Sequence, residues 1–325
     1  MRAAWYDRQG PAAEVLQVGE LPEPEPGPGE VRVRLRFSGV NPGDTKKRSG
    51  WLGNPMAFPR IVPHSDGAGV IESVGAGVEP GRVGRRVWVW GAQSYRPSGT
   101  AGQYTVVPAD QAVDLPDQVS DEIGACLGVP GITAHRGVFA DGPVSGCTVL
   151  VHGVLGGVGS LAARLARRGG ATVIGTVRRT ADLDRVDRSA VVHAVALDAP
   201  DVVEQIRAHA SDGVDRVVEV SLSDNADLDM QVLAIGGVIA AYASRRDRPE
   251  LPFWPLLFAN VTLRLLGSDD FPSAAKQQAA ADLTAAAAED ALAIPIAAPL
   301  PLDQIAAAHD RVDAGGHHRV LLAIP

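Results

Sequence analysis

Four glycines lie within seven positions in the stretch VLVHGVLGGVG, residues 149–159. The stretch joins an apolar run to the amphipathic sequence SLAARLARR, which predicts the order strand, turn and helix. Glycines at the first turn after a parallel strand let backbone N–H groups approach a pyrophosphate, and the helix N-terminus adds a partial positive charge. Gly156 and Gly157 would approach the pyrophosphate, and Gly159 would let the helix pack closely. The spacing therefore predicts a dinucleotide site, as a variant, because Val154 stands where a first glycine is expected.

The end of the next strand carries the residues that would select the cofactor. The strand ATVIGTV, residues 171–177, runs directly into Arg178 and Arg179. An acidic residue there would bind the ribose 2′-OH of NAD, but Asp182 lies too far along the chain. Two guanidinium groups instead suit a 2′-phosphate, which each can hold through paired hydrogen bonds. The sequence therefore favours NADPH, with solvated loop arginines as the alternative.

Two kinds of element surround this site. From Val31 to about Leu115 the chain is rich in short β-branched runs such as VRVRLRF, separated by glycine and proline, which predicts a β-barrel-like domain. After this point, apolar strands alternate with helical patterns, which predicts a parallel sheet with right-handed crossovers. The last apolar run, RVLLAI, would pair with either domain. The expected fold class is α/β with two domains.

Composition narrows the range of partners. The chain has 325 residues, of which 46% are hydrophobic and 21% charged, and its 30 basic and 38 acidic residues give a net charge of −8. This balance offers no basic field for nucleic acid or an anionic membrane surface. The N-terminus lacks a signal-peptide pattern and no apolar run is long enough to span a bilayer, so we expect a cytoplasmic protein. Cys126 and Cys147 are too few for a disulfide framework or a four-cysteine zinc site.

Six motifs in order along the chain resemble the medium-chain dehydrogenase/reductase superfamily, in particular its zinc-free quinone oxidoreductase branch that includes ζ-crystallin. They are GVNPGDTKKRSG (39–50), PHSDGAGVIESVGAGV (63–78), GTAGQYTVVPAD (99–110), GVPGITAHRGV (128–138), VLVHGVLGGVG (149–159) and HHRVLLAIP (317–325). The resemblance implies a GroES-like β-barrel catalytic domain over 1–122, completed by 266–325. It also implies a Rossmann doubly wound parallel-sheet domain over 123–265, and a homodimer.

The resemblance also implies roles for individual residues. Asn41 would face the nicotinamide and the substrate, and Thr133 would lie beside the nicotinamide ribose. The other implied cofactor-binding residues are Leu155, Gly156, Gly157 and Val158 at the pyrophosphate, then Tyr242, Ser244, Arg245, Ser268 and Asp269, with Arg319 at the C-terminal basic position. Core packing is the alternative for Tyr242 and Thr133, and a turn residue before proline is the alternative for Asn41.

Two departures from the superfamily bear on chemistry. Zinc-dependent relatives carry a cysteine near the position of Asn41 and a histidine at the position of Ser65, whereas here His64 is displaced by one residue, so no metal is expected. Tyrosines that often follow the NPxDT motif are missing, and the chain has Lys46 and Leu52 there instead. Lys46 is a candidate proton donor or phosphate ligand, with a solvated surface lysine as the alternative.

These features predict metal-free hydride chemistry on a small molecule. The leading hypothesis is an NADPH-dependent quinone oxidoreductase. The alternatives are an enoyl or enone reductase acting on an α,β-unsaturated carbonyl, and an NADPH-binding protein with little turnover and a structural or RNA-binding role, against which the net charge counts. In the stretch WPLLFANVTLRLLG, Phe258 would belong to a subunit interface, whereas Trp254 is left open between interface and substrate wall.

Overall fold

The computed structural model describes residues 1–325, and the chain divides into two compact units. The first unit consists of Met1–Ile132 together with Lys276–Pro325, and the second consists of Thr133–Ala275. The predicted boundaries, after residues 122 and 265, each lie somewhat earlier in the chain. The C-terminal segment Lys276–Pro325 is part of the first unit.

Strands make up most of the first unit and the centre of the second. In chain order they are β1 Arg2–Trp5, β2 Gln17–Glu20, β3 Glu30–Val40, β4 Asp66–Val74, β5 Arg86–Val89, β6 Tyr104–Pro108, β7 Ala112–Asp114, β8 Thr148–Val151, β9 Thr172–Val177, β10 His193–Ala196, β11 Val214–Glu219, β12 Leu233–Ala241, β13 Thr262–Leu265, β14 Leu300–Pro301 and β15 Val320–Ala323.

The helices are mostly short. In chain order they are α1 Ala12–Val15, α2 Pro42–Ser49, α3 Asp121–Gly124, α4 Val129–Phe139, α5 Gly157–Arg168, α6 Val202–Arg207, α7 Leu222–Val232, α8 Phe253–Phe258, α9 Ser273–Ala288 and α10 Ile305–Asp313. None of these helices combines the length and the apolar character needed to cross a bilayer.

The first unit is built on a seven-stranded, mainly antiparallel sheet with the order β14-β15-β3-β4-β5-β7, in which β6 also pairs with β3. The alternation in VRVRLRF places Val31, Val33 and Leu35 in the core, while the intervening arginines face outward, as period two requires. Strand β15 pairs antiparallel with β3, with Val320 opposite Val40. The last apolar run therefore belongs to the first unit, which settles the alternative that the sequence left open.

The second unit is a six-stranded parallel sheet with the order β10-β9-β8-β11-β12-β13. Its core contains the apolar strand residues that the sequence predicted, among them Leu150, Ile174 and Val217. The order reverses between β8 and β11, and in such sheets ligands bind at that reversal, beyond the carboxyl ends of the strands. The predicted α/β class, with a GroES-like and a Rossmann-type domain, is confirmed.

Candidate active site

The glycine turn follows β8 and leads directly into α5, which begins at Gly157. Gly153 has a positive φ of 67°, and Gly156 donates from its backbone to the Gly153 carbonyl at 2.8 Å. A Cβ added at Gly159 would lie 2.3 Å from the Gly153 carbonyl oxygen, so only glycine lets the helix approach the turn this closely. Val154 is buried, and its side chain contacts the face of Gly175 that a Cβ would occupy. The residue of the turn that adopts a left-handed backbone is Gly153, one position before Val154, so no glycine is needed at position 154.

The first turn of α5 is suited to an anion. The backbone N–H groups of Gly157 and Val158 have no carbonyl partner in the helix or the turn, as expected at a helix N-terminus. Leu155, Gly156, Gly157 and Val158 are all partly exposed. The helix extends over 12 residues, so its dipole adds partial positive charge at this end. These four positions therefore fit a dinucleotide pyrophosphate.

Arg178 and Arg179 follow β9 immediately, and both are exposed. Neither guanidinium forms an ion pair within the protein. Asp198 accepts hydrogen bonds from the backbone N–H and the hydroxyl of Thr180, the residue after Arg179, at 2.9 and 2.8 Å. The two arginines therefore offer unpaired positive charge at the end of the second strand, where a 2′-phosphate would lie.

The other cofactor-binding residues predicted in the second unit follow the ends of β12 and β13, at the same edge of the sheet. Tyr242 is partly buried and donates its backbone N–H to Glu219, and burial raises the pKa of its phenol. The Ser244 hydroxyl donates to the Arg246 carbonyl at 2.6 Å, and Arg245 pairs with Asp224 at 3.5 Å. Ser268 and Asp269 lie in a short turn, Ser268–Asp270, and Thr133 is buried in α4.

In the first unit, Asn41 is the centre of a buried polar network. It follows β3 and caps α2, where its backbone N–H donates to Asp44 at 2.8 Å. Its side-chain Nδ2 donates to Asp66 at 2.7 Å, and its Oδ1 accepts from Arg319 Nη2 at 2.8 Å. All four side chains are buried. The structure therefore brings Arg319 to Asn41, and the network fixes which way the Asn41 amide faces.

Sequence reasoning missed the two acidic members of this network. Asp66 accepts a backbone hydrogen bond from Val129 at 2.8 Å in addition to the amide of Asn41. Burial raises the pKa of Asp44 to about 7, against the effect of the hydrogen bond from Asn41. The available signals were the acidic residue three positions after Asn41, typical of a capping box, and the aspartate within PHSDG.

Lys46 lies outside the Asn41 network. Its Nζ sits over the ring of Trp51, 4.5 Å from the ring centroid. This cation–π contact is formed within the local chain and gives the ammonium no hydrogen bond to Asn41, Asp66 or Arg319. The proton-donor role of Lys46 thus stays a prediction without support from a contact.

The family model described as alcohol dehydrogenase GroES-like domain matches residues 27–117, and the one described as zinc-binding dehydrogenase matches residues 157–281. A quinone oxidoreductase of Pongo abelii is 30% identical over 281 residues, covering 85% of this chain and 83% of that protein. The chain belongs to the quinone oxidoreductase family of the medium-chain dehydrogenases/reductases.

Two further similar proteins support this family assignment. A quinone oxidoreductase of Rattus norvegicus is 32% identical over 209 residues, which span 64% of this chain and 62% of the rat protein. A mycobacterial structure complexed with NADPH superposes with a TM-score of 0.84 at 27% identity and covers 99% of both chains. The chain is therefore an oxidoreductase that uses a nicotinamide cofactor.

One matched family model is named for zinc, so the possible metal ligands of this quinone oxidoreductase family member matter. His64 is fully buried, and its ring hydrogen-bonds Ser38 at 2.8 Å and His309 at 2.9 Å. Burial, followed by repulsion from His309, keeps the pKa of His64 low, so it is neutral. A different group, His152, Glu219 and Asp229 in the second unit, has its ligand-type atoms within 4.8 Å of one another. Sequence reasoning missed this buried group because its members are far apart along the chain.

Proposed function

We propose that this quinone oxidoreductase family member binds NADPH and transfers hydride to a quinone without zinc. The observation that carries the cofactor preference is the pair of unpaired, exposed guanidiniums, Arg178 and Arg179, at the end of β9. A 2′-phosphate at this position would gain charge-assisted hydrogen bonds that the 2′-OH of NADH cannot match. The free N–H groups at the start of α5 would hold the pyrophosphate.

Asn41 is the residue best arranged to act on the acceptor. When bound, NADPH supplies a hydride from C4 of its nicotinamide ring. One N–H of Asn41 Nδ2 donates to Asp66, and Oδ1 accepts from Arg319, so the amide cannot flip without losing both bonds. The second N–H of Nδ2 makes no other hydrogen bond in the protein. It is available to stabilise the oxygen that gains negative charge as the quinone accepts hydride.

Zinc independence rests on the side chains around Asn41. The chain has Asn41 and Ser65 at the positions that the superfamily resemblance assigns to zinc ligands. Cys126 is buried, and burial raises the pKa of its thiol to about 11, although Arg319 acts in the opposite direction. A cysteine binds zinc as its thiolate, and the surroundings of Cys126 oppose that form.

We also propose that the chain forms a homodimer through the apolar edge, which comprises α8 and β13. Strand β13 is the last strand of the parallel sheet, with β12 as its single partner. Phe258 and Leu265 are 74% and 70% exposed, and Phe253 and Trp254 are also exposed. An edge strand whose outer side has no partner, next to exposed aromatic residues, is unusual on a monomer and suits burial against a second copy.

The test is a matrix of two cofactors and several acceptors. Purified protein is mixed with NADPH or NADH and with 1,4-benzoquinone, 9,10-phenanthrenequinone, an enal, an enone or an enoyl thioester, and the loss of reduced nicotinamide absorbance is followed. We expect turnover of quinones with NADPH, unchanged after treatment with a strong zinc chelator. Turnover restricted to the enone or thioester would reassign the acceptor, and binding of NADPH without turnover of any acceptor would contradict the enzymatic proposal.

A further inference from the structure

Three polar side chains at the carboxyl ends of the parallel strands point into the interior of the second unit. His152 follows β8, Thr176 lies near the end of β9, and Glu219 ends β11. Each is completely buried, and so is Asp229 on α7. Buried polar groups are costly unless they are hydrogen-bonded, so their contacts define what this cluster does.

The ring of His152 connects separate elements of the nucleotide domain. Its Nδ1 hydrogen-bonds Thr176 Oγ1 at 2.9 Å, and its Nε2 hydrogen-bonds Asp229 Oδ1 at 2.8 Å. The same Thr176 hydroxyl accepts the backbone N–H of Gly153, the first glycine of the turn, at 3.3 Å. One hydroxyl of β9 therefore holds both the histidine and the glycine turn.

Electrostatics strengthen these contacts. Glu219 Oε2 lies 3.5 Å from His152 Nε2, and Asn225 donates to both Glu219 oxygens at 3.1 Å. Burial lowers the pKa of His152, but Asp229 and Glu219 outweigh burial and raise it overall. The imidazolium form donates from both nitrogens, to Thr176 and Asp229. The Glu219 carboxylate also acts on Tyr242, where burial and this carboxylate together raise the pKa of the phenol.

This network joins the glycine turn to the carboxyl end of β9. The turn would hold the pyrophosphate of NADPH, and the end of β9 would hold its 2′-phosphate. Gly153 begins the turn that leads to the free N–H groups of α5, and Thr176 lies two residues before Arg178. A shift of the turn relative to the end of β9 would change the distance between the pyrophosphate and 2′-phosphate contacts. Contacts that hold the two anion-binding elements at a fixed distance reduce the conformational entropy that is lost when the cofactor binds.

We propose that His152 is a positioning residue for the dinucleotide: through Thr176 it fixes the glycine turn against the carboxyl end of β9 and thereby sets cofactor affinity. This inference rests on the proposed NADPH function. The ring of His152 is fully buried, so it would act on the cofactor only through Thr176 and the glycine turn. Asp229 orients the ring from the opposite side.

The test uses Thr176→Val, which keeps the shape of the side chain and removes the hydroxyl, with Thr176→Ser as the matched control that restores it. We expect Thr176→Val to raise the Kd and the KM for NADPH by about tenfold and to leave kcat within about twofold, because the chemical step is not touched. Thr176→Ser should bind NADPH as the wild type does. His152→Gln provides a second variant in case Thr176→Val does not fold, and it should weaken NADPH binding in the same way.

Several results would overturn the inference. An unchanged Kd in Thr176→Val, with only the melting temperature lowered, would make the network purely structural. Stoichiometric metal in the purified wild-type protein that is lost in His152→Gln would make His152, Glu219 and Asp229 a metal site instead. If the wild type does not bind NADPH, both the proposed function and this inference are wrong. If the wild type binds NADPH and Thr176→Val binds it with the same Kd, only this inference is wrong.

Discussion

Arg319 Nη2 donates to Asn41 Oδ1 at 2.8 Å, so a residue from the C-terminal part of the chain fixes the orientation of an amide at the end of β3. We expect Arg319→Met, which keeps much of the aliphatic volume, to lower kcat by about tenfold or more, because the loss of a charged donor to a buried acceptor costs roughly 1.5–3 kcal/mol. Steady-state kinetics with the best acceptor measures this effect.

A double-mutant cycle shows whether Arg319 acts through Asn41. If it does, Arg319→Met should lower kcat much less in an Asn41→Ala background than in the wild type. Equal effects in both backgrounds would mean that Arg319 acts on the cofactor or substrate independently of Asn41, as the resemblance first suggested.

Arg178 and Arg179 should set the choice of cofactor. Replacing both with alanine removes two unpaired guanidiniums from the end of β9, and the Kd for NADPH should rise by one to two orders of magnitude, about 1.5–3 kcal/mol. The Kd for NADH should hardly change, because it lacks the 2′-phosphate. Fluorescence titration with both cofactors gives the comparison, and Arg185→Ala, which removes an exposed arginine paired with Asp182, serves as the control. Parallel losses for NADPH and NADH would contradict the assignment.

The two glycines around the start of α5 should have separable effects. A Cβ at Gly159 would lie 2.3 Å from the Gly153 carbonyl oxygen, so Gly159→Ala must displace the helix and should reduce stability by about 1–3 kcal/mol. A Cβ at Gly156 meets the same oxygen at 3.2 Å and the backbone there has ordinary angles, so Gly156→Ala should fold nearly normally. It should nevertheless weaken NADPH binding by about tenfold, because the methyl group occupies space near the pyrophosphate. Thermal unfolding and NADPH titration of both variants separate the two roles, and equal losses of stability would be the contrary result.

Asp44 should make the stability of the protein depend on pH. Its pKa rises from 3.8 to about 7 on folding, chiefly through burial, so between these values the unfolded chain releases a proton that the folded chain retains. The free energy of unfolding should therefore fall as pH rises from about 4 to 7, by up to about 4 kcal/mol for this group.

The variant Asp44→Asn should flatten this dependence, because an amide does not titrate. Its oxygen can still accept the backbone N–H of Asn41. Asp117→Asn, at an exposed position, is the matched control and should leave the profile unchanged. Denaturant unfolding at several pH values measures the slopes, and identical slopes for wild type and Asp44→Asn would show that Asp44 is ionised in the folded protein.

The apolar edge should mediate self-association. Phe258 is 74% exposed, and a lysine there would place a charge in the centre of a buried contact. We expect Phe258→Lys to weaken the dimer at least tenfold, measured by sedimentation at a series of concentrations. Val83→Lys changes an exposed apolar residue of the first unit and should have no effect. A wild type that is monomeric at all concentrations would contradict the proposal.

The sequence predicted those features that depend on local pattern. The glycine turn, the start of α5 at Gly157 and the parallel strands follow from spacing and periodicity, which act over a few residues. The partners of Asn41 and His152 did not follow from the sequence, because Arg319 lies 278 residues from Asn41 and Asp229 lies 77 residues from His152. Such pairs depend on which strands become neighbours, and that order is fixed by packing of the whole unit.

The contact of Lys46 was not predicted either, although its partner is close in sequence. Its neighbours in sequence suggested a solvated lysine or a proton donor, while the structure places its ammonium over the ring of Trp51, only five positions away. Local contacts of this kind depend on how α2 ends. Gly50 takes a left-handed conformation with φ 76°, which turns the chain and brings Trp51 back beneath the lysine.

The position of β15 affects how the chain is made. The sheet of the first unit needs β15 beside β3, yet these strands are separated by all of the second unit. The second unit is formed by one continuous segment of the chain and can fold as soon as residue 275 has left the ribosome. The first unit must instead wait with the last part of β3, residues 37–40, lacking its partner β15. Nascent chains arrested after residue 275 has emerged from the ribosome, but before β15 has, should therefore be bound by chaperones at the first unit, while the nucleotide-binding unit is already resistant to proteolysis.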